Sequence, residues 1–268
     1  MAAGKKENGG LTAGTQIKRP RLLKGLSVKD GLVRHPFDLE NGVRTSGLVA
    51  GPHLAAGHRH DRHATAYYAV APSVFHGMIV RWRRCRPAAH IDEVAFIDVG
   101  AGMGRAMLLA AEYRFRMVVG VELNPALARI GRRNMARWRA AGRTRTPLRM
   151  ICADAVEFAL PPGPCVAFLF NPFGAPVLRR VLDSWAHNLT RQQSPQTAQL
   201  DILYVNNEQE HILEQHAGFR RLFQGKVRRS HADMLADRKI LTSQPDGEYA
   251  AMAWEDCSIY RWVGKSGN

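Results

Sequence analysis

Four short stretches carry residues whose types and spacing could do chemistry. The first is Asp98-Val-Gly100-Ala-Gly102-Met-Gly104, an acid followed by three glycines at alternate positions. Glycine lets the backbone turn sharply and approach a ligand with no Cβ in the way. A dinucleotide-binding loop has the pattern G-x-G-x-x-G, whose third glycine would fall at position 105, where this chain has Arg105. The spacing therefore argues against NAD or FAD. Asp98 argues the same way, because an acid before the loop repels a pyrophosphate and welcomes a cation. The second and third stretches each contribute one acid, Glu122 in Val121-Glu-Leu-Asn124 and Asp154 in Cys152-Ala-Asp-Ala155. The fourth, Asn171-Pro-Phe-Gly174, offers an amide oxygen, a main-chain carbonyl and an aromatic ring. Asn171 and Pro172 could accept N–H bonds from an amine, and Phe173 could line a slot that favours cationic character.

The elements that must position these residues alternate in period. Pro72 opens a helix in which Val74, Phe75, Met78, Ile79 and Trp82 share one face. Val94–Val99 is a short, nearly continuous apolar run, as a buried parallel strand should be. Arg105–Glu112 reads as a helix, Met117–Glu122 as a second strand, and Asn124-Pro125 as the cap of a helix running to Gly142. Leu148–Ala153 and Cys165–Phe170 are the third and fourth strands. Pro176–Leu189 is helical, with Val177, Leu178, Val181, Leu182 and Trp185 on one face, and Leu200–Val205 is a fifth strand, followed by a helix that stops at Gly218. Phe219–Val227 and Asp256–Val263 supply two further strands. Such alternation predicts an α/β fold, a doubly wound and mostly parallel seven-stranded sheet of Rossmann-like form. In such sheets ligands bind at the carboxyl ends of the strands, where all four stretches fall.

Phe96-Ile-Asp-Val-Gly-Ala-Gly-Met-Gly-Arg105 resembles the first motif of class I S-adenosylmethionine-dependent methyltransferases. The resemblance covers about residues 64–225. It implies that Gly100, Gly102 and Gly104 surround the methionyl part of S-adenosylmethionine, with Asp98 near its amino group. It further implies that Glu122, 18 residues beyond Gly104, accepts the ribose hydroxyls. Asp154 and the Ala155 amide would receive the adenine, and Asn171, Pro172 and Phe173 would form the active-site motif, with Asn171 also touching the cofactor. Tyr67 or Tyr68 would close over the cofactor, Tyr68 being the assigned contact. A closer resemblance is to a bacterial methyltransferase-like group of unsettled substrate, through Phe37–Gly47, Tyr67-Tyr68, Asn171–Gly174 and Tyr204-Val-Asn-Asn207. That group is distantly similar to the histone-lysine methyltransferases that lack the SET fold. Asn171-Pro-Phe173 has one proline fewer than the Asn/Asp-Pro-Pro-Tyr/Phe motif of enzymes acting on nucleobases or glutamine. The implied function is methyl transfer, with nitrogen the favoured acceptor atom. The alternative is a non-catalytic module that binds the same cofactor and holds nucleic acid or protein through its basic surface.

Length and charge set the frame. The 268 residues suit one large domain or a domain with an appendage, and 38 lysines and arginines against 23 acids give a net charge of +15. This balance favours an anionic partner. Residues 1–34 read as a basic flexible arm, 35–90 as a helical and loop segment, and 91–268 as the cofactor-binding domain. Eight arginines between Arg129 and Arg149, with no acid between Leu123 and Met150, form a second basic stretch, which with the arm is a candidate for weak nucleic-acid binding. His58-Arg-His60-Asp-Arg-His63 fits no established helical ligand pair, so no metal is expected. Neither a membrane span nor a signal peptide is expected. Four widely spaced cysteines without a CxxC pair suit a reducing, cytoplasmic setting.

Overall fold

A computed structural model describes residues 33–191, 199–243 and 252–264. The expected arm lies outside these residues except for Val33 and Arg34. The chain enters with α1 (Pro36–Asn41) and α2 (Pro72–Arg84), then alternates β1 (Ala95–Val99), α3 (Arg105–Ala110), β2 (Met117–Glu122), α4 (Pro125–Ala140), β3 (Leu148–Cys152), β4 (Cys165–Phe170), α5 (Ala175–Arg191), β5 (Leu200–Val205) and α6 (Glu210–Glu214). It closes with β6 (Phe219–Arg228), α7 (His231–Thr242) and β7 (Trp254–Trp262). The sheet order is β3-β2-β1-β4-β5-β7-β6. Strands β1 to β5 pair in parallel, while β7 runs antiparallel to both β5 and β6.

The central strands are buried on both faces, which is why their sequences are apolar runs and not alternating ones. Phe75, Met78 and Trp82 of α2 join Phe96, Phe168 and Met107 in a core on one face. Val177, Leu178, Val181, Leu182 and Trp185 of α5 join Ile97, Leu169 and Tyr204 on the other. Asn124 caps α4, its side chain accepting from the Ala126 and Leu127 amides at 2.9 and 3.1 Å.

The stretch before β1 is knitted to the sheet. Asp38, fully buried, accepts from the Thr45 amide at 2.6 Å and from the Ser46 amide and hydroxyl at 2.7 Å each. Arg105 stands 3.7 Å from the same carboxylate and donates to Thr45 Oγ1 at 2.7 Å. Asn134 of α4 ties the Arg44 main chain to the carbonyl of Met103 in the glycine loop. Phe37, Val43 and Val70 share one core with Phe96 and Val118, so hydrophobic packing crosses position 90 without a break.

Helix α7, between β6 and β7, is a feature that the strand pattern of the tail does not predict. Ser230 caps it by accepting from the Asp233 amide at 3.1 Å. Asp233 in turn accepts from the Ser73 amide at 2.9 Å, pinning α7 to the start of α2.

Candidate functional site

One cavity opens at the carboxyl ends of β1, β2, β3 and β4, and its walls include Asp98, Gly100, Glu122, Asp154, Ala155, Tyr68, Pro172 and Phe173. The remaining candidates stand elsewhere. Gly102 and Gly104 are not among its walls; they shape the loop from behind. Asn171, expected on both the cofactor and the acceptor side, lines a second cavity instead.

The loop after β1 needs glycine for two separate reasons. Gly100 has φ +72°, and a Cβ there would come within 2.4 Å of the Pro172 side chain. Gly102 has φ +54°, and a Cβ there would come within 2.1 Å of the Tyr67 ring. Tyr67 is thus packed on the back of the loop, its hydroxyl donating to the Thr45 carbonyl at 2.7 Å. Both tyrosines line the cavity, and Tyr68 lines a second one as well.

The Gly102 amide donates to Glu122 Oε2 at 2.7 Å, and the Asn124 amide to Oε1 at 2.7 Å. Each oxygen thus keeps a lone pair for a ligand hydroxyl. Burial pushes the Glu122 carboxyl upward, opposed by these amides. Asp98 is 4% exposed. Burial and the nearby Glu122 carboxylate push its carboxyl up to about 8. Neither acid has a cationic partner within salt-bridge distance among the described residues, so the floor of the cavity is acid-rich and short of positive charge. Arg105, 3% exposed, is the one arginine or lysine among the described residues of the wall, and His60 is the one histidine. A zwitterionic group would find Asp98 and Arg105 together, an arrangement that the glycine spacing alone does not reveal.

Asp154 is flanked from outside the sheet. His60 Nδ1 stands 2.9 Å from Asp154 Oδ2, and His58 Nε2 stands 3.9 Å from the same oxygen. Arg180 of α5 donates to His60 Nε2 at 3.1 Å, which leaves Nδ1 to carry the proton toward the carboxylate. Burial lowers the His60 pKa, Asp154 opposing, so this ring is neutral near pH 7. The three ligating atoms of His58, His60 and Asp154 lie within 4.8 Å of one another, close enough for a divalent metal. His60 Nδ1 and Asp154 Oδ2 are both buried and, though 2.9 Å apart, have no well-aligned hydrogen bond among the described residues.

The segment 63–67 runs over the end of β4. The Gly174 amide donates to the His63 carbonyl at 2.9 Å, and the Thr65 amide to the Pro172 carbonyl at 3.4 Å. The Thr65 hydroxyl donates to the Asn171 carbonyl. One lone pair of the Pro172 carbonyl is therefore already engaged. Phe173, 8% exposed, both lines the cavity and packs in the core beneath it. Thr65 lies in none of the singled-out stretches. His60 and Arg105 do, but their roles here are not legible in the sequence because their partners are distant along it.

No protein-family model and no curated protein matches the sequence. Among solved structures, a methyltransferase from Thiobacillus denitrificans in complex with S-adenosyl-L-homocysteine aligns at 13% identity and TM-score 0.42, covering 72% of this chain and 92% of that one. A putative RNA methyltransferase from Pyrococcus horikoshii aligns at 13% and 0.45, covering 71% and 84%. A [4+2]-cyclase aligns at 17% and 0.47, covering 70% and 81%. The sheet itself is the decisive feature: five parallel strands in the order 3-2-1-4-5, extended by an antiparallel β7 inserted before β6, with a glycine loop after β1 and acids after β2 and β3, make this the class I methyltransferase fold.

Proposed function

We infer that the protein is an S-adenosylmethionine-dependent methyltransferase whose acceptor atom is nitrogen. The observation that carries the reading is the convergence of three acids from three successive strand ends, Asp98, Glu122 and Asp154, on one cavity beside the glycine loop. Two of them are buried without a cationic partner, which suits a ligand that brings its own positive charge. Asp98 holds the α-ammonium and Arg105 the α-carboxylate. Glu122 accepts the ribose hydroxyls and Asp154, beside His60, accepts from the adenine amino group. S-adenosylmethionine supplies a sulfonium-bound methyl carbon, which an amine lone pair attacks in line while the C–S bond breaks with its electron pair left on sulfur. Methyl transfer requires a neutral nitrogen held about 3 Å from that carbon. Asn171 at the end of β4 orients it through N–H bonds, and Phe173 lines the slot.

Calorimetry with S-adenosylmethionine, S-adenosylhomocysteine and NAD tests the assignment. Heat with both adenosyl ligands and none with NAD is expected; the reverse overturns it. Incubating fractionated lysate with methyl-labelled cofactor then separates an enzyme from a binding module, because only the enzyme transfers label.

The same reading extends to a nucleic-acid partner. All eight arginines from Arg129 to Arg149 are exposed, and none lies within 4 Å of an acid among the described residues. This surface supports loose, sequence-tolerant binding of phosphate backbones.

A further inference from the structure

A second cavity adjoins the first, and Ala64, Thr65, Ala66, Tyr68 and Phe170 line both. Its floor is the carboxyl ends of β4 and β5, which present Asn171 and Asn206. Both have left-handed backbone, with φ 40° and 48°. Among non-glycine residues asparagine visits this region most readily, its short polar side chain bonding locally. Asn171 is 6% exposed. The Tyr204 hydroxyl donates to its Oδ1 at 3.5 Å, which leaves that oxygen a second lone pair for a ligand.

The opposite wall is acidic. Arg229 and Glu255 form an ion pair there, and Arg229 Nη1 lies 2.9 Å from Asp237 of α7 behind it. Two acids thus share one guanidinium. Burial pushes both carboxyls upward, with Arg229 opposing in each case. Glu208, exposed at the rim, is the second acid of the lining and accepts from Asn206 Nδ2 at 3.2 Å. Glu208 and Glu255 thus line the cavity with one base, Arg229, although the whole chain carries a net charge of +15. Leu48, Leu241 and Met252 supply an apolar lining between the polar ends.

We propose that this cavity is the acceptor site, and that it takes an aliphatic amine arriving as an ammonium cation. The inference rests on the reading of the first cavity as the S-adenosylmethionine site and names the class of acceptor. The acids attract the ammonium and the apolar residues hold its stem. One proton then leaves to water at the open rim beside Glu208, which frees the lone pair, and the two asparagine oxygens accept the remaining N–H bonds. An alcohol of the same shape gains nothing from the acids, and a carboxylate is repelled.

The test uses the full chain and follows the side-chain amide signals of Asn171 and Asn206 by NMR. n-Pentylamine, n-pentanol and pentanoate are titrated in turn, with and without S-adenosylhomocysteine. The amine is expected to shift both signals saturably, to bind at least about tenfold tighter than the alcohol, and to outrank pentanoate further. Glu208→Gln, at an exposed position, should cut the amine's advantage several-fold. Equal affinity for alcohol and amine, tighter binding of pentanoate, or unmoved asparagine signals would each overturn the proposal. S-adenosylhomocysteine is followed separately through the Gly100 and Gly102 main-chain signals. If those stay unmoved, the cofactor reading fails, and with it the cavity's role as an acceptor site, whatever the amine does.

Discussion

At the scale of residues, the site is governed by carboxylates kept from water. Asp98 holds its proton up to about pH 8, through burial and the neighbouring Glu122. An ammonium bound beside it favours the ionised form, so binding must displace that proton. Cofactor affinity should therefore rise from pH 6 to 7.5 by up to about tenfold per unit, and Asp98→Asn should remove the slope. Calorimetry at the two pH values measures this, and a flat profile in the unmodified protein would refute the role given to Asp98. Stability has the opposite sign. The folded state binds this proton more tightly than the unfolded chain, so Asp98's contribution is complete below its ordinary carboxylate value and is lost as pH rises toward 8. The thermal upshift given by S-adenosylhomocysteine should accordingly be larger at pH 8 than at pH 6. Asn171 divides the two cavities in a different way. Because it lines the second and not the first, Asn171→Ala should lower turnover about 10²-fold while cofactor affinity stays within a factor of two to three. Equal loss of both would return Asn171 to the cofactor side.

At the scale of elements, what could be read in the sequence depended on the range of the interaction. Four of the five parallel strands are legible because burial on both faces makes each a short, mostly apolar run, while β3 carries the exposed Arg149 and is read from Leu148, Met150 and Ile151. The acids are legible because each ends or follows a strand or, for Asp98, lies within one. Helix α7 is not, because its twelve residues mix Asp233, Asp237, Arg238 and Lys239 with only a few buried apolar positions. Its one local signal is Ser230 followed three residues later by Asp233, a plausible cap. Asn171 is legible as a polar residue after β4, but its cavity is not, since α7 and β7 supply that cavity's far wall. His60 and Arg180 are 120 residues apart, and Arg105 and Thr45 are 60 apart, so nothing periodic links them. The stretch Phe37–Gly47 stands out in the sequence, yet its reason appears only in three dimensions: Asp38 gathers Thr45, Ser46 and Arg105 into a strap behind the glycine loop. Asp38→Ala should leave the Arg105 guanidinium buried and unpaired, at a cost of about 3–5 kcal/mol. Urea unfolding should show the lower midpoint. Because Arg105 also lines the first cavity, cofactor affinity should fall as well; an unchanged midpoint would mean that the strap is not what holds this segment.

At the scale of the whole molecule, the charge is unexplained by the site. Both cavities are acid-rich, yet the chain carries +15. The excess is concentrated elsewhere, on α4 and the turn after it. There Arg132, Arg137 and Arg143 donate to the carbonyls of Met150, Gly42 and Glu40, and Arg139 to that of Leu148. These bonds fix the guanidinium groups without neutralising them. Arg129, Arg133, Arg145 and Arg149 are exposed as well. Helix α4 packs on β2 and β3, whereas the second cavity lies at the ends of β4 and β5, so the basic face is separate from the acceptor side. Phosphate binding there should leave cofactor binding untouched. A labelled DNA duplex of arbitrary sequence should be retained on filters at ~50 mM salt, with log K falling against log salt at a slope of about −0.9 per phosphate engaged. Replacing Arg129, Arg133 and Arg145 together by glutamate should flatten that slope by roughly 2 to 3 while S-adenosylhomocysteine binds as before. Removing residues 1–34, with their eight basic side chains, should weaken retention further. If the unmodified protein retains no duplex and no RNA at ~50 mM salt, the charge serves no phosphate backbone, and α4 is simply a solvated face.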